Sequence, residues 1–414
     1  MATNSKIFLV IILLASLFRV WGTFEVQSFR EDESIQVPSA ISLGTFGTTI
    51  SNQWAHPPLS GLILYGTTAI FGNNPVGWRI SNVIFGVLTI MLLYRTARLL
   101  YPEEPDLALI AAALLACDPF HEYLSRTTFM EVPVTFFFLL FLTLMLEQSE
   151  KQRATLPLAG IALGLTISTK AYFIFAAPLV VFYSLYKVNE RQKVTSAILA
   201  EYVATLLILP MAIYLLSHLP WFGRGYTFGE FIQMKRDAVW SIRHYTVAAF
   251  DNQFALAAGG KPWEWFLKPI MFGQELFSDG QNGRYLLEIN NPPFRLLSIP
   301  ALMTLAAYAW QKRIVSDMLI PLLFAACYLL FLLVQRPMLS YSALVALPFA
   351  YIAIARSATL LPIKQTFKQP LLILCLALIA LWGVYTFPLV SGKSVPVSLY
   401  KPILSIAKTT GKSP

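Results

Sequence analysis

Long apolar runs recur along this chain, separated by short polar connections. They fall roughly at Ile7–Trp21, Val76–Leu99, Leu107–Cys117, Thr128–Leu146, Leu156–Ser168, Tyr172–Tyr186, Thr195–Leu216, Phe294–Trp310, Met318–Val334, Leu339–Ala355 and Leu371–Leu389. Many windows approach the roughly 20 apolar residues that a helix needs to cross a bilayer. None alternates with the period of two that marks a barrel strand. The pattern predicts an all-α polytopic membrane protein, residues 1–414 as a single membrane domain, with about eleven transmembrane helices.

Composition agrees. Of 414 residues 56% are hydrophobic and only 13% charged, and the mean hydropathy is +0.61. No soluble core of this size absorbs so much apolar sequence. The net charge of +9 would suggest nucleic acid in a soluble protein. Here it suggests lysine and arginine in cytoplasmic turns, and no basic patch interleaved with aromatics argues for nucleic acid. Cys117, Cys327 and Cys375 lie in or at the ends of apolar runs, without metal-ligand spacing. They read as small hydrophobes. Lys6 to Gly22 looks like a signal peptide but has no A-x-A-like end and carries Arg19, so it reads as a retained first helix.

Orientation follows from the turns. An inside N-terminus puts Arg95, Arg98, Lys151, Arg153, Lys187, Arg191, Lys193, Lys312, Arg313, Arg356, Lys364 and Lys368 on the cytoplasmic side. The outer side then carries two large loops, 24–75 and 217–293, and the tail 391–414, whose lysines fit the rule less well. In the first loop, Ile35 to Ile50 and Leu59 to Phe71 suit helices lying along the interface. The second is rich in tryptophan: Trp221, Trp240, Trp263 and Trp265. No internal repeat is evident, which weakens the competing reading of a transporter or flippase for a lipid-linked substrate.

Ionisable residues crowd the outer face. Arg30-Glu31-Asp32-Glu33 and His56 lie in the first loop, and Asp118 to Arg126 lies in a short turn followed by Glu131. Lys170 and Arg336 lie in two further outer turns. Charges at membrane depth are costly and face a cavity or a partner. Acids and cations together suit a reaction with one proton to remove and one phosphate to stabilise. Plainer readings stand beside this one. The acidic triplet could be a solvated loop, Arg126 a snorkelling anchor, Asp118 an N-cap and His56 a cap or packing residue before Pro57-Pro58. Lys170 could be a loop lysine, the tryptophans interfacial anchors, and Glu131 a structural partner of Arg126.

The same residues carry a family resemblance. The chain resembles the dolichyl-phosphate-mannose protein mannosyltransferases and the aminoarabinose transferases, glycosyltransferases of the GT-C fold. The matching elements are Asp32-Glu33 and His56-Pro57-Pro58-Leu59, then Trp78-Arg79 with Gly86-Val87-Leu88-Thr89. Asp118, Ser125-Arg126 and Glu131 follow, then Gly164 to Lys170, Lys261-Pro262-Trp263-Glu264-Trp265, Asn291-Pro292, and Arg336 through Tyr341 to Leu347-Pro348. Glu131 stands where the family often has aspartate, and the loop from Ser217 to Pro293 has no room for the β-trefoil domain of eukaryotic members.

The resemblance implies transfer of a sugar from a polyprenyl-phosphate donor to an acceptor on a protein, lipid or glycan, by single displacement at the anomeric carbon. It implies Asp32 as base and Glu33 as its companion in orienting or holding the acceptor. Arg126 would hold the donor phosphate, with His56, Lys170, Arg336, Glu131 and Asp118 as further donor contacts. Trp263, Trp265 and Asn291 would serve the acceptor or the loop. A divalent ion such as Mg or Mn could sit on Asp32, Glu33 and Glu131, but basic neighbours can do the same electrostatic work, so no metal is expected. The implied setting is a prokaryotic plasma membrane with the site facing outward.

Overall fold

The computed structural model describes residues 2–30, 32–44, 56–149, 155–244, 259–260, 262–333 and 338–409. It is mostly helical. Among the described residues seven helices are long and apolar enough to cross a membrane, or eight if the bent pair Pro105–Ala116 and Pro119–Ser125 forms one span. The count of about eleven is not reached by that measure: Leu156–Ser168 falls in Thr155–Thr169, apolar but short, Leu107–Cys117 falls in the bent pair, and Ile7–Trp21 and Phe294–Trp310 are not among the seven. The chain divides into two compact units.

One unit comprises Gln27–Leu100 and Thr127–Tyr245. It begins with two short helices, α2 (Glu33–Gly44) and α3 (Leu59–Phe71), which pack together. At 12 and 13 residues they suit the interfacial helices expected in the first loop. α4 (Pro75–Leu100) follows. Its start is fixed by Pro75 at the first helical position and by Asn74, whose Oδ1 accepts from Val76 N at 2.9 Å. α4 packs on α7 (Glu131–Ser149), and α7 packs on α8 (Thr155–Thr169) and α9 (Ala177–Arg191). The next span, α10 (Ser196–Ser217), has a π-helical stretch at Ala204–Ile208. α8 approaches it so closely that a Cβ on Gly160 would stand 2.0 Å from the Thr205 carbonyl oxygen. Only glycine permits that contact, the small-residue packing common between membrane helices.

The other unit comprises Met1–Val26, Tyr101–Arg126 and Thr246–Pro414. α1 (Ala2–Val20) packs on α5 (Pro105–Ala116) and the short α6 (Pro119–Ser125). Helices α12 (Pro292–Lys312), α13 (Val315–Tyr328), α14 (Leu347–Thr359) and α15 (Gln365–Ser391) complete it, with α14 also against α5; α11 (Phe228–His244) belongs to the first unit. Arg356 on α14 ties this helix to α13 and to the turn before α5. It forks onto Asp317 at 3.0 and 3.1 Å and pairs with Glu104.

The large loop also folds into strands, a feature the apolar pattern does not show. β1 (Ile270–Ser278) and β2 (Asn282–Ile289) form an antiparallel hairpin closed by an Asp279-Gly280 turn, and β3 (Ser394–Pro396) adds to β2. The tail is therefore a strand followed by a helix, α16 (Val397–Thr409). Its Lys393 is paired with Glu25 at 2.9 Å.

Candidate active site

The acidic pair at the start of α2 splits into two environments. Glu33 is fully buried and Asp32 is half-buried. The Glu33 carboxylate is gripped side-on by Arg79 of α4: Nε donates to Oε1 at 2.8 Å and Nη2 to Oε2 at 2.7 Å. The Arg30 amide donates to Oε2 at 2.9 Å, and the Thr128 amide and hydroxyl approach Oε1 at 3.3 and 3.4 Å. A buried carboxylate needs this saturation, because an unpaired one costs several kcal/mol. Arg79 also donates to the Ser28 carbonyl oxygen at 3.0 Å. One guanidinium thus holds the chain both before and after residue 32.

Asp32 heads α2. Its carbonyl oxygen accepts from the amides of Ile35 and Gln36 at 3.0 and 2.7 Å, the first bonds of the helix. Residues 127–129 are pinned against α4 by Asn82, whose Nδ2 donates to the Thr127 and Phe129 carbonyl oxygens at 2.6 and 2.9 Å. His56 is half-buried beside the buried Pro57-Pro58.

Glu131 opens α7 and is ion-paired with Lys170; both side chains are buried. Burial alone would lower the Lys170 pKa, but the Glu131 carboxylate outweighs it and holds the ammonium above its usual range. Its Nζ also lies 5.5 Å from the centre of the Tyr172 ring. Lys170 is therefore no ordinary loop lysine.

In the other unit a second group of charges is buried around α6. Asp118 is the N-cap of α6, accepting from Phe120 N at 2.7 Å and His121 N at 3.3 Å, and it also accepts from the Tyr351 hydroxyl. Arg126 follows the helix. Its Nη1 and Nη2 donate to the carbonyl oxygens of Phe18 and Trp21, the latter at 2.8 Å, at the C-terminal end of α1. Arg19 reciprocates: its guanidinium donates to Ala116 O at 3.2 Å and lies 2.7 Å from His121 Nδ1. Each arginine thus satisfies carbonyl oxygens that a helix end leaves orphaned. Binding a donor phosphate through both terminal nitrogens of Arg126 would require these bonds to be given up.

The residues expected to serve the acceptor also divide. Trp263 is 55% exposed, whereas Trp265 is fully buried, edge-on to Tyr328 and Phe331. Asn291 is the N-cap of α12 in the left-handed conformation, φ 49°, and is buried. Arg336, Glu31 and Lys261 lie outside the described residues. Among the described residues no three His, Cys, Asp or Glu side chains form a metal-binding group. Glu33 and Glu131, two of the carboxylates that could hold a divalent ion, are each committed to a cation.

No motif in the sequence marks Arg19 or Arg295 as functional. The available signal was a lone arginine in, or at the mouth of, an apolar run, where an unpaired charge is costly. Arg79 stands out in the sequence only through the family resemblance, and nothing in the spacing links it to Glu33.

Residues 55–221 match the family described as dolichyl-phosphate-mannose-protein mannosyltransferase. Over 323 residues the chain is 25% identical to a polyprenol-phosphate-mannose–protein mannosyltransferase of Mycobacterium tuberculosis, spanning 63% of this chain and 61% of that one. It is 26% identical over 311 residues to the undecaprenyl phosphate-alpha-4-amino-4-deoxy-L-arabinose arabinosyl transferase of Pseudomonas paraeruginosa, spanning 72% of this chain and 52% of the relative. The chain thus covers about three-fifths of the length of the mannosyltransferase and half that of the other. The fold matches the S. cerevisiae protein O-mannosyltransferase complex bound to the sugar donor, with a TM-score of 0.80 at 12% identity over 97% of this chain and 92% of that one. It also matches ArnT from Cupriavidus metallidurans bound to undecaprenyl phosphate, with a TM-score of 0.62 at 14% identity, covering 97% and 71%. The chain is an integral membrane protein with the GT-C fold, and its residues 55–221 resemble the dolichyl-phosphate-mannose-protein mannosyltransferase family.

Proposed function

We propose that this protein transfers a sugar from a polyprenyl-phosphate donor to an acceptor hydroxyl or phosphate, on the extracytoplasmic side of a prokaryotic plasma membrane. The observation that carries the reading is the contrast at the head of α2. Glu33 is locked by Arg79 and Thr128, and the half-buried Asp32 is held next to it. One carboxylate is spent on architecture, and its neighbour is placed by that architecture.

Asp32 takes the proton from the acceptor as its oxygen attacks the anomeric carbon, the lipid phosphate departs, and the configuration inverts. Glu33 acts as a positioning residue. His56, Lys170, Arg126, Arg336, Glu131 and Asp118 remain the candidate donor contacts by motif. The printed names of the relatives support a polyprenyl-phosphate sugar as donor, and the basic turns between the spans support the outward-facing site.

The test is reconstitution of the full chain with a panel of radiolabelled polyprenyl-phosphate sugars and candidate peptide, lipid and glycan acceptors. The reading expects label to pass from at least one donor to one acceptor, with loss of transfer in Asp32→Asn. Binding of lipid-linked sugar with flipping across the bilayer and no transfer would overturn it.

A further inference from the structure

Arg295 is in the first turns of α12 and is almost completely buried. Two of the three sides of its guanidinium are accounted for. The face lies over the Phe120 ring, 4.4 Å from its centre. Nη1 donates to the Trp265 carbonyl oxygen at 2.8 Å. Nε and Nη2, the side-on edge, hydrogen-bond to no described residue. Asn291, the N-cap four residues earlier, is also buried, and its carboxamide has the Tyr351 hydroxyl as its polar neighbour without a regular hydrogen bond among the described residues.

The acids whose charge bears on Arg295, Asp118 foremost and also Glu288, are engaged elsewhere. Asp118 caps α6 and accepts from Tyr351, and Glu288 accepts from Ser340. Neither carboxylate accepts a hydrogen bond from Arg295. A buried cationic N–H edge with no acceptor is unfavourable by several kcal/mol. The two parallel donors of that edge match two oxygens of one phosphate.

We propose that the Nε–Nη2 edge of Arg295, with the Asn291 carboxamide, binds a phosphate group, and that this group is the headgroup of the polyprenyl-linked donor. The inference rests on the donor class proposed above. Arg126 differs in the relevant respect, since both of its terminal nitrogens already hold carbonyl oxygens of α1. Phe120 and Trp265 keep the Arg295 guanidinium in one plane, so the edge is oriented before the ligand arrives.

The experiment compares binding of undecaprenyl phosphate, undecaprenol and inorganic phosphate to the full chain in nanodiscs, for the wild type, Arg295→Met and Arg295→Lys. The expected result is a wild-type preference for undecaprenyl phosphate over undecaprenol that Arg295→Met reduces by roughly tenfold or more. Arg295→Lys keeps the charge and loses the fork, so it should give an intermediate loss. Undecaprenol affinity should stay within about threefold throughout, and inorganic phosphate should compete in the wild type but not in Arg295→Met. If Arg295→Met does not fold, Arg295→Lys carries the test. Wild-type preference retained in the folded variants overturns the inference alone. A wild type with no preference for undecaprenyl phosphate overturns the donor class as well.

Discussion

Glu33 and Arg79 are joined by two parallel hydrogen bonds, Nε to Oε1 at 2.8 Å and Nη2 to Oε2 at 2.7 Å, with both side chains completely buried. The bond links the start of α2 to the first turns of α4 and fixes the backbone next to Asp32, the residue that the proposed chemistry needs. Losing one partner of a buried pair strands the other. Arg79→Ala and Glu33→Ala should each lower stability by about 3–5 kcal/mol. Glu33→Gln keeps the shape and some bonds, so it should fold while transfer falls and donor affinity holds. Thermal unfolding beside a kcat and KM pair checks this. A Glu33→Gln variant with unchanged kcat would remove Glu33 from the mechanism.

The Glu131–Lys170 pair gives a second expectation. Its members are buried and face one another within one unit. Lys170→Met leaves a carboxylate alone and should destabilise by about 3–5 kcal/mol, while Lys170→Met with Glu131→Gln should recover much of that loss. Denaturation midpoints of the two singles and the double decide it. Additive losses would show that the pair does not act as a unit.

A third expectation concerns the arginine clasp between α1 and α6. Arg126→Lys keeps the charge but cannot hold two carbonyl oxygens in the same fork. It should cost about 1.5–3 kcal/mol for each hydrogen bond lost, read as a lower melting temperature. If Arg126→Lys instead melts like the wild type but loses affinity for a polyprenyl phosphate, the residue serves the donor.

pH provides a fourth. His218, just past α10, is buried between Tyr214 and Phe231, and its Nδ1 lies 2.8 Å from the Tyr214 carbonyl oxygen. Burial, reinforced by the Lys235 ammonium, pushes its pKa down to about 4, and burial takes Lys235 down to about 8. The folded protein therefore holds a neutral imidazole at pH 7. As pH falls from the ordinary histidine value of about 6.5, the unfolded chain gains a proton that the folded one refuses. Stability is full above that value and is lost on the way down to about 4, by at most roughly 3 kcal/mol. Melting temperatures from pH 7.5 to 4.5, for wild type and His218→Gln, report it. An equal acid slope in both proteins would show that His218 is not responsible.

Much of the fold was legible in the sequence because apolar runs of membrane length have few alternatives in lipid. The short helices at Glu33–Gly44 and Leu59–Phe71 were legible for the same reason, being too short to cross. The number of spans was not, since Thr155–Thr169 has the composition of a span without its length. The β1–β2 hairpin is not legible, because its strands lie in a loop whose tryptophans equally suit interfacial anchoring.

In the candidate site, residue types were legible and partners were not. Asp32-Glu33 stood out by charge, yet only the fold shows that Glu33 belongs to Arg79, 46 residues away. Glu131 is costly enough to demand a cation, and only the fold shows that Lys170, 39 residues away, supplies it. Sequence spacing ranks neighbours along one helix, and these pairs join different ones.

The central claim is that Asp32 is the base. The direct measurement is single-turnover sugar transfer by reconstituted wild type and Asp32→Asn, with donor binding measured on the same preparations. The transfer rate should fall by about 10²–10⁴-fold, the range for loss of a general base, with donor affinity unchanged. An Asp32→Asn protein that transfers sugar at the wild-type rate would contradict it.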